Sequence, residues 1–339
     1  MKAVVYDAWG PPQEALDLDQ RFPRAFIEKD SDNVLVKVMA ASVSYRDFRE
    51  VRGDFKSVKS RAMPRILGTE VSGIVEAVGE RCWKFRPGDS VIGIVPDGAM
   101  AEYVSAPEMH FVRKPKNMSH LHAAAFPMCG LLAFQCLYKY GDLKEGEKVL
   151  ILNASGGVGS LAVQMAKYKK ATVYATASKH VEMVESLGAD EVLDYSKCNW
   201  WEQLRGYNFD LVLDFGVGYS AWKHSEMVLN PSGGRFVTIV PDTVDGPVEF
   251  FNYMVGIPMR SFFAGKRYTY VDGVDLSNYD HFIYISKIVQ SGKLRPVLDP
   301  DSPFEFTPRG MRAMVDKLAT KHTRGKLIIN VACSTGQSV

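Results

Sequence analysis

The sequence predicts an α/β protein with a doubly wound parallel sheet and a second, β-rich domain. Three observations carry that expectation. Up to about residue 121 the chain shows short β-branched runs between Gly and Pro turns; beyond it, apolar strands alternate with helically spaced segments. The length, 339 residues, exceeds what one ordinary core serves and suits two domains.

The first part opens on Met1-Lys2-Ala3-Val4-Val5-Tyr6, which reads as a strand. Val34–Val38 and Val71–Val78 follow as strands bounded by turn residues, and Arg86-Pro87-Gly88-Asp89 separates them from Ser90–Val95. After residue 122 the rhythm changes. Lys148–Leu152 is a buried-type strand, and Val158 to Lys170 places Val158, Leu161, Ala162, Met165 and Ala166 on one helical face. Thr172–Thr176 is a strand, and Val181–Leu187 a helix stopped by Gly188. Glu191–Leu193, Asp210–Asp214 and Arg235–Val240 are further strands, and this alternation implies a parallel sheet covered on both faces. Helices over Tyr279–Ser291 and Pro308–Ala319 and a closing strand, Lys326–Val331, complete the chain. The domain limits expected are 1–121, 122–265 and a return to the first domain over 266–339.

Composition narrows the function. Hydrophobic residues make up 46% and charged residues 24%, the balance of a globular chain and not of a disordered one. Forty-one basic residues stand against 39 acidic ones, so no global field recruits nucleic acid or an anionic membrane. Cys82, Cys129, Cys136, Cys198 and Cys333 are scattered, odd in number and without a CxxC pair, which argues against a disulfide framework and for a reducing compartment. The longest apolar stretch, Ala123 to Leu137, is interrupted by Pro127, Gly130 and Gln135 and is too short to span a bilayer. No targeting segment is read at the start, and the expected location is cytoplasmic.

The most informative segment is Asn153-Ala154-Ser155-Gly156-Gly157-Val158-Gly159, directly after a strand and opening a helix. Read as A-x-G-x-x-G, Ala154 takes the tight turn, Gly156 admits a pyrophosphate and Gly159 lets helix pack on strand. The anion then lies at the helix N-terminus, where free N–H groups and the dipole favour negative charge. An NAD site usually carries an acid about 20 residues on. Here that region reads Tyr174-Ala175-Thr176-Ala177-Ser178-Lys179-His180, and the first acid is Glu182. Ser178 and Lys179 suit a 2′-phosphate, so the expected cofactor is NADPH, although Lys179 also reads as an ordinary solvated lysine.

With these residues in view, the chain resembles the medium-chain dehydrogenase/reductase superfamily, most closely its zinc-free quinone oxidoreductase (ζ-crystallin-like) branch. The resemblance rests on Ala154–Gly159, Ser186-Leu187-Gly188-Ala189-Asp190 with Asp194-Tyr195, and Gly68-Thr69-Glu70. Phe85–Asp89, Gly98–Tyr103, Gly130–Ala133 and Arg324-Gly325-Lys326 extend it from residue 1 to about 331 in order. It implies a Rossmann dinucleotide-binding domain and a discontinuous GroES-like catalytic domain, with the active site in the cleft. It also implies a homodimer paired through the last strand of the Rossmann sheet, here Arg260 to Tyr268, and a place for Tyr195 beside the adenosine phosphate. The candidate cofactor set is Ala154, Ser155, Gly156, Gly157, Val158, Gly159, Ser178, Lys179, Tyr195, Val240 and Lys326.

Zinc-using members of the superfamily carry Cys where Ser44 stands, His where Thr69 stands and a second Cys where Cys129 stands. Two hydroxyls and one thiol are a poor zinc set, and no cysteine lies between Ile94 and Tyr103 for a four-cysteine lobe. No metal is therefore expected. Without one, reduction of a quinone or a polarised C=C by a placed nicotinamide is favoured over alcohol oxidation. Candidate catalytic residues come from Ser44-Tyr45-Arg46-Asp47, which matches the branch's N-x-x-D segment. Tyr45 is read as a hydrogen-bond donor or stacking platform, or as a packed aromatic; Asp47 as a loop support or ribose ligand. Three departures stand out: Ser44 for Asn, Phe55 for Tyr and Leu132 for Thr. Phe55 removes the tyrosine acid of related enoyl reductases and makes the pocket more apolar.

Between Arg46 and Arg65 seven basic residues (Arg46, Arg49, Arg52, Lys56, Lys59, Arg61, Arg65) stand against Asp47, Glu50 and Asp54. They read as a solvated loop face or a rim attracting anions. The activity expected is NADPH-dependent reduction of a quinone or enone. The alternatives are an enoyl-thioester reductase and a decayed NADPH-binding interaction or RNA-binding protein, since lens structural and RNA-binding proteins resemble this branch.

Overall fold

A computed structural model describes residues 1–55, 62–96, 98–240, 255–264 and 267–332. The chain divides into two compact units. One comprises Met1–Met128, Leu276–Gly292 and Pro296–Val339; the other comprises Cys129–Asp275 with Lys293–Arg295. Sequence-based limits at 121 and 265 stand against crossings at 128 and 275.

In the first unit, β1 (Ala3–Tyr6), β2 (Asp17–Asp19) and β4 (Arg65–Ile66) form a small antiparallel sheet. The larger sheet is organised by β3 (Asn33–Val43), whose β-branched residues favour an extended, half-buried backbone. It pairs along its length with β5 (Glu70–Val78), and on its other edge with β7 (Tyr103–Pro107) and β16 (Leu327–Asn330). β6 (Ser90–Ile94) and β8 (Phe111–Arg113) extend it beyond β5, and β15 (Phe304–Glu305) extends it beyond β16. A residue near position 328 therefore meets one near 42, and the last strand stitches the chain's end to its first third. Two helices matter below: α1 (Tyr45–Arg52), which leaves the end of β3, and α2 (His120–Ala124). Helix Pro308–Ala319 covers the sheet with Met311, Met314, Val315 and Leu318, all in one core with Val36, Val71 and Ile329.

In the second unit β9 (Lys148–Leu152), β10 (Thr172–Ala177), β11 (Glu191–Asp194), β12 (Leu211–Asp214), β13 (Arg235–Thr238) and β14 (Tyr268–Tyr270) form one parallel sheet. Their spatial order is β11-β10-β9-β12-β13-β14, the doubly wound order whose direction reverses between β9 and β12. β9 and β12 are apolar because both faces are covered: Leu150 and Val212 share a core with Phe236 of β13, Trp200, Leu204 and Ala221, while Val149, Ile151, Leu211 and Leu213 are buried on the other face. α3 (Gly157–Tyr168) follows β9, and the helix Val181–Ser186 ends beside Gly188 at φ +103°, a conformation only glycine adopts without strain.

One expectation is corrected. Arg260–Ala264 belong to a helix, Ile257–Ala264, and the outer strand of this sheet is Tyr268–Tyr270. The intervening 265–266 lie outside the described residues. Helical spacing of Ile257, Arg260 and Phe263 is masked by the run of β-prone residues around it.

Candidate functional site

The crevice between the ends of β9 and β12 is built by the chain turning sharply after Leu152. The left-handed residue is Asn153, at φ +59°, and not Ala154, which corrects the sequence reading. Asparagine tolerates this region better than any residue except glycine. Its backbone N–H donates to Thr176 Oγ1 (3.2 Å) and its side-chain amide to the Phe215 carbonyl (3.3 Å), tying together the ends of β9, β10 and β12. Ala154 N–H donates to the Thr176 carbonyl (2.9 Å).

Gly159 behaves as expected of the third glycine. A Cβ there would stand 2.5 Å from the Asn153 carbonyl oxygen and 2.7 Å from Ala154 Cα, so only glycine lets α3 start this close to the turn. Gly156 differs in kind: its Cβ would meet nothing nearer than 3.6 Å. Space above Gly156 is thus left unfilled by the chain, and no side chain caps the first turn of α3. Open space at a helix start whose N–H groups carry no side-chain cap is the geometry that suits an anion.

At the neighbouring strand ends, Ser178 Oγ donates to Tyr195 Oη (3.1 Å); Tyr195 is 45% exposed and Lys179 is exposed beside them. No carboxylate follows β10 directly. Asp194, at the end of β11, is engaged by Ser196 and Lys197, which hold its pKa down to about 2. Val240 lies just past β13, its N–H donating to Thr238 Oγ1 (3.0 Å).

One buried carboxylate at the crevice escaped the sequence reading. Asp214, fully buried at the end of β12, accepts from the N–H groups of Gly216 (3.1 Å), Val217 (2.8 Å) and Gly218 (2.8 Å), and from Thr238 Oγ1 (2.9 Å). Burial pushes its pKa up against these bonds. The carboxylate braces the loop on the far side of the crevice. The available signal was an acid ending an otherwise apolar strand.

The first unit holds a second polar centre. Ser44 follows β3 and opens α1; its N–H (2.6 Å) and Oγ (2.7 Å) both donate to Asp47 Oδ2, so the carboxylate three residues on satisfies the N–H of the helix's first residue, as a helix-start box does. Asp47 is 5% exposed, and burial raises its pKa despite Ser44 and the nearby Lys326 charge. Glu70, opposite Ser42 in the β3–β5 register, accepts from Ser42 Oγ (2.8 Å), the Met128 N–H (2.8 Å) and the Lys326 ammonium. Lys326, proposed from sequence as a cofactor ligand, is buried with its ammonium on Glu70 in this unit. Tyr45 is 38% exposed, with Lys321 Nζ 5.5 Å and Arg52 Cζ 5.9 Å from its ring centre.

The basic segment is in part neutralised: Arg49 and Arg52 both pair with Asp54, and Arg65 with Glu50. Lys56, Lys59 and Arg61 lie outside the described residues. Cys129 is buried, and among the described residues no group of three or more His, Cys, Asp or Glu side chains is placed to hold a metal ion. No helix among the described residues is long and apolar enough to cross a membrane.

Residues 30–116 match the model of an alcohol dehydrogenase GroES-like domain and residues 187–329 that of a zinc-binding dehydrogenase. Human mitochondrial NAD(P)H oxidoreductase RTN4IP1 is 32% identical, the match covering 98% of this chain and 89% of that protein. The chloroplastic NADPH-dependent alkenal/one oxidoreductase of Arabidopsis thaliana is also 32% identical, over 97% of this chain and 79% of that protein. The quinone oxidoreductase from Coxiella burnetii superposes with a TM-score of 0.81 at 29% identity, covering 98% of this chain and 99% of that one. A dinucleotide turn on a doubly wound sheet, a GroES-like unit, and hydroxyls at the metal positions place the chain in the zinc-free branch of the medium-chain dehydrogenase/reductase family of nicotinamide-dependent oxidoreductases.

Proposed function

We propose that the protein is an NADPH-dependent reductase of quinones or α,β-unsaturated carbonyls. The observation that carries this is the pairing, in one chain, of the open, uncapped helix start at Gly156 with a catalytic unit whose metal positions are Ser44 and Thr69. The relatives named quinone and alkenal/one oxidoreductases support the same acceptors. When bound, the reduced nicotinamide supplies hydride to the acceptor.

Ala154 to Gly159 hold the pyrophosphate at the start of α3. Ser178, Lys179 and Tyr195 present two hydroxyls and an ammonium to a 2′-phosphate, and Val240 flanks the same sheet edge. Lys326 acts by neutralising Glu70. Tyr45 offers a ring and a hydroxyl to a planar acceptor. Asp214 keeps the Gly216–Gly218 loop in one conformation, so the crevice is ready before the ligand arrives.

Steady-state NADPH oxidation with 9,10-phenanthrenequinone, a simple enone and an enoyl-CoA tests the reading. Turnover of either of the first two supports it; tight NADPH binding with none of the three turned over overturns it. Lys179→Ala is expected to weaken NADPH binding at least about tenfold, a loss of about 1.4 kcal/mol, with little change for NADH. Equal losses in calorimetric titrations remove Lys179 from the phosphate site. Cytoplasmic residence and a homodimer belong to the same proposal; relatives named as mitochondrial or chloroplastic make fractionation the test of the first.

A further inference from the structure

The chain passes between its two units at 128/129, 275/276, 292/293 and 295/296. Beside each passage a side chain completes the backbone. In the first unit the Met128 N–H donates to Glu70 (2.8 Å), and Asn117 Nδ2 donates to the carbonyls of Val289 (3.0 Å) and Gln290 (3.3 Å). The second unit has two fasteners of its own, and they are alike.

Gln135, wholly buried, accepts the Asp275 N–H on Oε1 (2.9 Å) and donates Nε2 to the Asp275 carbonyl (2.7 Å). Gln164, buried on α3, holds Arg295 in the same way: Oε1 accepts its N–H (3.0 Å) and Nε2 donates to its carbonyl (2.9 Å). A primary amide carries the same donor and acceptor as a peptide group. One glutamine thus completes both backbone groups of a residue that lies outside any strand.

Each grip is itself held. Gln135 opens a π-helical turn, Gln135–Tyr140, a rare geometry that recurs at functional positions. Lys139, from the same turn, pairs with the Asp275 carboxylate. Gln164 Nε2 also donates to the Ser160 carbonyl one turn back on α3 (2.9 Å), which fixes the direction of its amide.

We propose that Gln135 and Gln164 are chain clamps that confine bending between the units to the short spans beside them, 276–278 and 291–293. After the Asp275 clamp only three residues precede the helix Tyr279–Gln290, whose Tyr279 hydroxyl donates to the Phe111 carbonyl of β8 (2.8 Å). Ser277 and Asn278 in that span are exposed. The second span runs from the carbonyls held by Asn117 to the Arg295 clamp; Ser291, Gly292 and Lys293 are exposed, with Gly292 at φ +77°. A few exposed residues between fixed ends are where a change of backbone torsion is absorbed.

Hydrogen exchange of the full chain, without ligand, tests the clamps, so their failure leaves the reductase reading standing. In wild type the Asp275 and Arg295 amides are expected to exchange at least about tenfold more slowly than those of Asn278 and Lys293. Gln164→Met keeps the side chain's length without either polar group. It should speed exchange at Arg295, and tryptic cleavage after Lys293, by at least about tenfold, with Asp275 as in wild type. Gln135→Met should do the reverse. Gln164→Asn and Gln135→Asn, too short to reach both backbone groups, give the same readout where a methionine variant fails to fold. Wild-type Asp275 and Arg295 amides exchanging as fast as Asn278 and Lys293 overturn the proposal. So does an acceleration spread evenly over the second unit, which marks a general support of the fold.

Discussion

Lys326 and Glu70 lie 256 positions apart, yet each is buried and committed to the other. Such a pair repays its desolvation only while both partners remain. Lys326→Met is therefore expected to cost about 3–5 kcal/mol in a urea titration, and adding Glu70→Gln should recover a large part of it. A single variant as stable as wild type would show that Glu70 needs no counter-charge. His120 makes a second prediction at this scale. Its Nδ1 lies 2.8 Å from Ser72 Oγ, and burial, helped by Lys114, holds its pKa down to about 4. The unfolded chain takes up that proton from about pH 6.5 downward, so stability is complete above pH 6.5 and is lost as pH falls towards 4. The loss is about 2 kcal/mol once the partial exposure of the ring is allowed for, and His120→Gln should flatten the melting temperature across that window.

At the level of elements, the join of β9 to α3 rests on a single missing methyl. Gly159→Ala places a carbon 2.5 Å from the Asn153 carbonyl oxygen, and the obstacle is backbone, which cannot swing aside. The expected cost is about 2 kcal/mol or more, and under the proposed function NADPH binding should weaken in calorimetry, because the N–H groups of α3 would move off the phosphate. Gly156→Ala is the control: the apoprotein should keep its stability, while the ligand's space is filled. Equal effects on stability would show that the two glycines do the same work. This segment is legible in the sequence, because strand, glycine spacing and helix periodicity are local properties. The left-handed Asn153 is less so, since the turn's register depends on bonds to Thr176 and Phe215, 23 and 62 positions away.

For the molecule as a whole, the helix Ile257–Ala264 leaves Phe262 81%, Phe263 75% and Met259 50% exposed, next in sequence to an edge strand. Large apolar side chains exposed together beside the outermost described strand of the sheet mark an association surface. With the homodimer proposal in hand, Phe262→Asp with Phe263→Asp is expected to halve the mass measured by light scattering while leaving the far-ultraviolet circular dichroism intact. A mass unaffected by the charges would put the contact elsewhere.

What the residues by themselves determined is the class of fold, most strand and helix positions, and the glycine turn that joins β9 to α3. Each of these follows from periodicity or spacing within some twenty neighbouring residues. Tertiary structure alone decided that Lys326 faces Glu70, that Asp214 braces the loop after its strand, and that Arg260–Ala264 coil instead of extending. The reason is physical: the state of a buried charge depends on what the other strands bring within about 3 Å of it, and no local pattern records that.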